Sequence, residues 1–197
     1  ITAEHVIIAT GSVPVELPGL PFGGDVLSSS TALSLPELPK HLAVIGAGYI
    51  GMELGIAFRK MGARVTVIEA TDRMLPSYDS DLVKPVSKWC RQHDIDIRFD
   101  TRAVGYSAGQ LELESADGTS VLDCDKVLVT VGRKPNTQGW GLDRLVIDMD
   151  GAFIRVNDSC QTSMRQVWAI GDVVGEPMLA HQASAHGPIV AHLIAGH

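Results

Sequence analysis

The chain is short of basic residues: 16 Lys and Arg stand against 23 Asp and Glu, and the net charge of −7 argues against a nucleic-acid partner. No basic run or RNA-reading motif offsets that balance. No apolar stretch approaches the ~18 residues that a membrane-spanning helix needs, so no membrane partner is expected. Cysteine is scarce too. Cys90, Cys124 and Cys160 are odd in number and too far apart for a C-x-x-C metal or redox pair, which fits a reducing compartment. Nothing like a secretion leader precedes the first strand-like residues, since the chain opens at Ile1 within what reads as a strand; the cytoplasm is the expected location. Aromatics make up only 5% of the 197 residues, but 45% are hydrophobic, enough for one globular domain or one and a half.

What is present is organised around His41 to Glu69, HLAVIGAGYIGMELGIAFRKMGARVTVIE. The apolar run Leu42 to Ile45 reads as a buried parallel strand, and Gly46-Ala47-Gly48-Tyr49-Ile50-Gly51 turns the chain into a helix. Gly46 permits a tight turn, Gly48 lets bare backbone approach a pyrophosphate, and Gly51 lets the helix pack close to the strand. The phosphates would sit on the helix N-terminus. A second strand, Val65 to Ile68, ends in Glu69, 18 residues beyond Gly51, where a carboxylate can accept hydrogen bonds from an adenosine ribose. A lone G-x-G-x-x-G is weak evidence. Here strand, turn, helix, strand and acid stand in the order that a dinucleotide site requires.

The remaining chain reads as α/β. Val6 to Ala9 is a short strand, and the proline-rich stretch from Val13 to Leu38 is a connector without a long helix. A helix is expected over Ser80 to His93, kinked by Pro85 or starting after it. Ile95, Ile97 and Phe99 form a third strand. Val104, Tyr106, Leu111 and Leu113, with turns at Ala108-Gly109 and Asp117-Gly118, make a small antiparallel excursion. Lys126 to Val131 is apolar enough for the buried parallel sheet. Trp140 to Asp158 carries few periodic signals. Val167 to Ile170 is another buried strand, ending at Gly171-Asp172, where an acid can bind a sugar hydroxyl or merely cap a turn. A helix follows from Leu179 to Ile194, weakened by Gly187-Pro188; its start, Met178 to His181, presents free N–H groups.

Four separated motifs then coincide with one family. ATGS at Ala9 to Ser12, GAGYIGMELG at Gly46 to Gly55, VGRKPNT at Val131 to Thr137, and AIGDV with MLAHQA between Ala169 and Ala183 follow one another as in the flavin- and pyridine-nucleotide-dependent disulfide oxidoreductases. The chain is similar to that family over nearly its whole length, most of all to its dihydrolipoamide dehydrogenases. The resemblance implies a Rossmann-like NAD-binding domain at residues 37–157, inserted between FAD-domain segments at 1–36 and 158–197. It implies FAD contacts for Thr10, Gly11, Ser12, Asp172, Met178, Leu179, Ala180 and His181. It implies NAD contacts for Gly46, Ala47, Gly48, Tyr49, Ile50, Gly51, Glu69, Val104 and Gly132. Tyr49 and Glu53 match positions near the nicotinamide pocket; the plainer reading is a helix-face aromatic and a solvated glutamate.

The family's own FAD glycine loop, its redox-active C-x-x-x-x-C and its C-terminal dimerisation domain with a His and Glu acid–base pair have no counterpart here. The three cysteines read as small packing residues. His181, His186, His192 and His197 share a helical region without the Asp or Cys ligands of a zinc site, and His5, His41 and His93 read as surface or strand-end residues. The chain is therefore expected to be a fragment, inactive alone. The parent enzyme would oxidise dihydrolipoamide, carried by a protein of a 2-oxoacid dehydrogenase complex, through a disulfide and FAD with reduction of NAD⁺, as a homodimer. The alternatives are a glutathione- or mercuric-reductase relative and a non-catalytic nucleotide-binding module. An NADP-dependent relative would carry arginines just after the second strand; Glu69-Ala-Thr-Asp72 opposes that, with Arg73 the exception.

Overall fold

The computed structural model describes residues 2–196, so Ile1 and His197, the last of the four histidines grouped above, lie outside the described residues. In chain order the elements are β1 (Val6–Ile8), β2 (Ser12–Pro14), β3 (Val26–Leu27), α1 (Ser29–Ala32), β4 (His41–Ile45), α2 (Tyr49–Met61) and β5 (Arg64–Ile68). Then come α3 (Ser80–Gln92), β6 (Asp96–Arg98), β7 (Thr101–Ser107), β8 (Gln110–Ser115), β9 (Gly118–Asp123) and β10 (Lys126–Val129). The last are β11 (Arg133–Pro135), β12 (Met149–Asp150), β13 (Phe153–Ile154), β14 (Val167–Ala169) and α4 (Ala180–Ile194). The chain forms two compact units, Pro14–Gly132 and the residues up to Val13 joined with those from Arg133 onward.

The unit Pro14–Gly132 is built on a parallel sheet in the order β3-β10-β4-β5-β6. Side chains alternate across a strand, and β4 uses both faces. Leu42 and Val44 join Val65, Val67 and Leu128 against Met52 and Phe58 of α2 and Cys90 of α3. Ala43 and Ile45 join Val127 and Val129 on the opposite face, against Leu111 and Leu113 of the antiparallel sheet β7-β8-β9. Both faces are covered, which is why the central strands are almost wholly apolar.

Pro85 does not delay the start of α3. Asp79 caps it, accepting the N–H of Asp81 at 2.8 Å, and Val83, Val86 and Cys90 pack on the core, so the helix survives without one backbone donor. His41 does open a strand, but it is buried rather than at the surface, because β4 is central and flanked by β10 and β5.

In the other unit, β1 and β14 pair in parallel with Val6 opposite Val167 and Ile8 opposite Ala169. The poorly patterned stretch after Trp140 contributes a 3₁₀ turn at Leu142–Arg144 and the small β12–β13 hairpin. Leu142 and Ile154 from it fill the core beneath Ile8, Val167 and Ala169. No helix among the described residues is long and apolar enough to cross a membrane.

Candidate functional site

Parallel pairing of β4 with β5 sets Ile45 opposite Ile68, so the residues after both strands emerge side by side. Gly46 N–H donates to the carbonyl of Ile68 at 2.8 Å, and Ala47 N–H donates to Glu69 Oε2 at 2.7 Å. Glu69 Oε1 accepts from Thr71 N–H at 2.9 Å and from its hydroxyl at 2.8 Å. The buried carboxylate thus ties the glycine loop to the turn after β5 with one acceptor position to spare. On the other side, Thr130 donates its hydroxyl to the carbonyls of Ile45 at 2.9 Å and Gly46 at 3.2 Å.

The three glycines differ physically. Gly46 has φ of +97°, and a Cβ there would lie 2.7 Å from the Thr130 carbonyl oxygen. A Cβ on Gly51 would lie 2.1 Å from the Gly46 carbonyl oxygen, so α2 can start this close to β4 only without one. At Gly48, the N-cap of α2, a Cβ would meet nothing within 4 Å, and no side chain caps the helix. The loop therefore leaves a bare backbone facing open space at a helix N-terminus, which suits a phosphate. Tyr49 and Glu53 are exposed on α2 and Ile50 is half-buried. Val104 sits in β7 where the pairing register shifts, and Gly132 is exposed, its carbonyl accepting Val15 N–H at 3.1 Å. Arg73, just beyond β5, donates from Nη2 to the carbonyls of Pro76 and Tyr78, each at 2.8 Å.

The second constellation lies where β1 and β14 end together. Ser12 Oγ–H donates to Asp172 Oδ2 at 2.5 Å. Arg133 Nε–H donates to Ser12 Oγ and its Nη2 to the Ser12 carbonyl, both at 2.7 Å. Thr10 donates its hydroxyl to the Asn136 carbonyl at 2.8 Å, and Asn136 N–H donates to the Gly11 carbonyl at 2.8 Å. Gly171, at φ +75°, donates its N–H to His186 Nδ1 at 3.2 Å, which fixes the turn before Asp172 on α4. That helix begins at Ala180 with Leu179 as N-cap and no capping side chain; Met178 and Leu179 precede it, and the Leu179 N–H is engaged by Pro177. The first N–H groups of α4, from Ala180 and His181, have no acceptor within the helix. Arg133, Asn136, Thr71 and Thr130 are not singled out by the sequence, and His186 figures there only in the histidine group that lacks zinc ligands. VGRKPNT signalled the first two only as members of a motif.

All three cysteines are buried and free. Burial raises each thiol, with nearby Asp125, Asp123 and Asp25 pushing Cys124 further, up to about 12. None has the lowered pKa of a redox nucleophile. Among the described residues no group of three or more His, Cys, Asp or Glu could hold a metal ion.

A parallel sheet carrying a glycine loop, a helix N-terminus and an acid after the next strand defines a Rossmann-like α/β fold, the architecture on which dinucleotide sites are built. The chain belongs to the pyridine nucleotide-disulphide oxidoreductase family, whose pattern matches residues 1–187. It is 50% identical over 197 residues to dihydrolipoyl dehydrogenase of Pseudomonas aeruginosa, covering all of this chain and 42% of that protein. It is 40% identical to dihydrolipoyl dehydrogenase of Geobacillus stearothermophilus over 201 residues, covering all of this chain and 43% of that protein. Among solved structures, the HOCl-induced flavoprotein disulfide reductase RclA of Escherichia coli superimposes with a TM-score of 0.89 at 28% identity, over 100% of this chain and 46% of that one. LpdA of Mycobacterium tuberculosis gives 0.85 at 30% identity, over 98% and 43%. The chain spans less than half the length of each of these proteins.

Proposed function

We propose that this chain is the NAD-binding central part of a dihydrolipoamide dehydrogenase, flanked by two segments of its FAD domain. The observation that carries the reading is the Glu69 carboxylate bound to Ala47 N–H beside the bare backbone of Gly48. Gly46 to Gly51 would cradle the NAD pyrophosphate at the start of α2, and Glu69 would take a ribose hydroxyl on its remaining acceptor position. A 2′-phosphate there would set like charges a few ångströms apart, a repulsion of order 3 kcal/mol per charge pair at an effective dielectric near 20. Arg73 Nη2 donates to the Pro76 and Tyr78 carbonyls of its own loop, which restrains the side chain from turning toward a 2′-phosphate. Val104 and Gly132, with Tyr49 and Glu53, belong to the NAD contacts in this reading.

The flavin side fits FAD in part. Asp172 has an acceptor oxygen for a ribityl hydroxyl, and the start of α4 offers N–H donors toward the flavin; Thr10 and Gly11, bound to Asn136, shape the neighbouring backbone. FAD, when bound, supplies the two-electron carrier between a dithiol and NAD⁺. This chain's own residues hold and orient the two cofactors, and the redox disulfide and acid–base pair belong to other parts of the parent. The parent would be a cytoplasmic homodimer acting on the lipoyl-carrying protein of a 2-oxoacid dehydrogenase complex. The test pairs calorimetric titration of the chain with NADH and NADPH with an assay of the full-length enzyme on dihydrolipoamide and NAD⁺. NADH should bind at least tenfold more tightly than NADPH and turnover should require NAD⁺; equal affinities would overturn the Glu69 assignment, and activity only on another disulfide would favour the glutathione-reductase type.

A further inference from the structure

Asp172 does not stand alone. Its Oδ2 accepts from Ser12 Oγ at 2.5 Å, that oxygen accepts from Arg133 Nε at 2.7 Å, and Arg133 Nη2 grips the Ser12 carbonyl at 2.7 Å. Among the described residues nothing donates to Asp172 Oδ1. We infer that Arg133 is a positioning residue for flavin binding, acting through Ser12 to hold Asp172 with Oδ1 free for the cofactor; this rests on the reading of Asp172 as the ribityl ligand.

The chemistry follows from the order of donors. The guanidinium polarises the Ser12 hydroxyl, so its proton is committed to the carboxylate and a charge-assisted bond fixes the carboxylate plane. The two-pronged grip on one residue, Nε to hydroxyl and Nη2 to carbonyl, uses the rigid fork of arginine, which a lysine point charge cannot reproduce. Arg133 lies 121 residues from Ser12, and Ser12 lies 160 from Asp172, so three of the four family motifs meet in this one chain of contacts.

The full-length flavoprotein tests this. The variants are Arg133→Met, Arg133→Lys, Ser12→Ala, Ser12→Thr, Asp172→Ala and the double variant Arg133→Met with Asp172→Ala. The readouts are FAD affinity of the apo-protein by fluorescence titration, the visible spectrum of bound flavin, and NADH affinity. Arg133→Met, Ser12→Ala and Asp172→Ala should each weaken FAD by about tenfold or more and alter the flavin spectrum, leaving NADH affinity unchanged. Ser12→Thr should recover binding, Arg133→Lys only part of it, and Arg133→Met should add nothing once Asp172 is gone. Normal FAD affinity in Asp172→Ala would sink the ribityl reading itself. Weakened binding in Asp172→Ala with normal binding in Ser12→Ala and Arg133→Met, or additive losses in the double variant, would overturn only the positioning role. Should Arg133→Met fail to fold, Ser12→Ala against Ser12→Thr decides the matter: a loss restored by threonine supports the relay, and two equal affinities refute it.

Discussion

Glu69 and Ala47 lie 22 positions apart, and the carboxylate Oε2 of the first accepts the backbone N–H of the second at 2.7 Å. The acid is therefore part of the glycine loop's own scaffold as well as a candidate ribose ligand. Replacing Glu69 with alanine should cost stability and nucleotide affinity together, since three hydrogen bonds to a buried charge are lost, and charged bonds contribute about 1.5–3 kcal/mol each. Glu69→Gln should be little better, because its amide N–H₂ must face either the Ala47 N–H or the Thr71 donors. Calorimetry with NADH and a denaturant titration on both variants check this. A Glu69→Gln protein with native stability would show that the loop does not depend on the carboxylate.

Gly48 and Gly51 should separate binding from folding. A Cβ at Gly48 meets only open space, so Gly48→Val is expected to leave stability within about 0.5 kcal/mol and abolish NADH binding. A Cβ at Gly51 would lie 2.1 Å from the Gly46 carbonyl oxygen, so Gly51→Ala should destabilise by about 1–3 kcal/mol through a displaced helix. Equilibrium unfolding of the pair decides it. A Gly48→Val protein that unfolds as easily as Gly51→Ala would place the open side of the loop elsewhere.

His41 should make the unit Pro14–Gly132 sensitive to mild acid. Burial lowers its pKa below the ordinary 6.5, Arg64 lowers it further and Arg98 adds to the effect, while the Asp123 backbone and Asp125 carboxylate act in the opposite sense without reversing it. As pH falls through 6.5 the unfolded chain takes up a proton that the folded chain refuses, so stability is complete above that value and declines down to the lower folded pKa. His41→Gln, whose amide can take the place of the 2.9 Å bond between His41 Nε2 and Thr66 Oγ1, should flatten the decline. Denaturant midpoints at about pH 7.5 and about pH 5.5 compare the two proteins, and identical pH slopes would remove His41 as the cause.

The cysteines should be inert in the native chain. Cys90, Cys124 and Cys160 are buried with raised thiol pKa values, so a thiol-reactive dye at about pH 8 should label none within minutes, and all three after denaturation. One rapidly labelled native cysteine would contradict the packing role.

The α/β class, the strand–turn–helix–strand order and the antiparallel excursion could all be read from the chain, because each is a local signal. Apolar runs, glycine at Gly46 to Gly51 and turn residues at Ala108-Gly109 act on neighbours a few positions away. Pro85 signals a kink or a late start, and only the cap at Asp79 and the core contacts of Val83, Val86 and Cys90 decide that the helix begins at Ser80 and runs through it. His41 looks like a polar residue at a strand end. Whether that end is wet depends on which strands flank it, and β10 joins β4 across 84 residues, as the Asp125 bond to His41 N–H records. The same holds for the site. Gly48 and Glu69 announce themselves by spacing, whereas Thr130 under the loop and Arg133 behind Ser12 and Asp172 become functional candidates only when strand pairing brings distant segments together. A side chain's hydrogen-bond partners are set by the geometry of the closed sheet, and no window of sequence contains them.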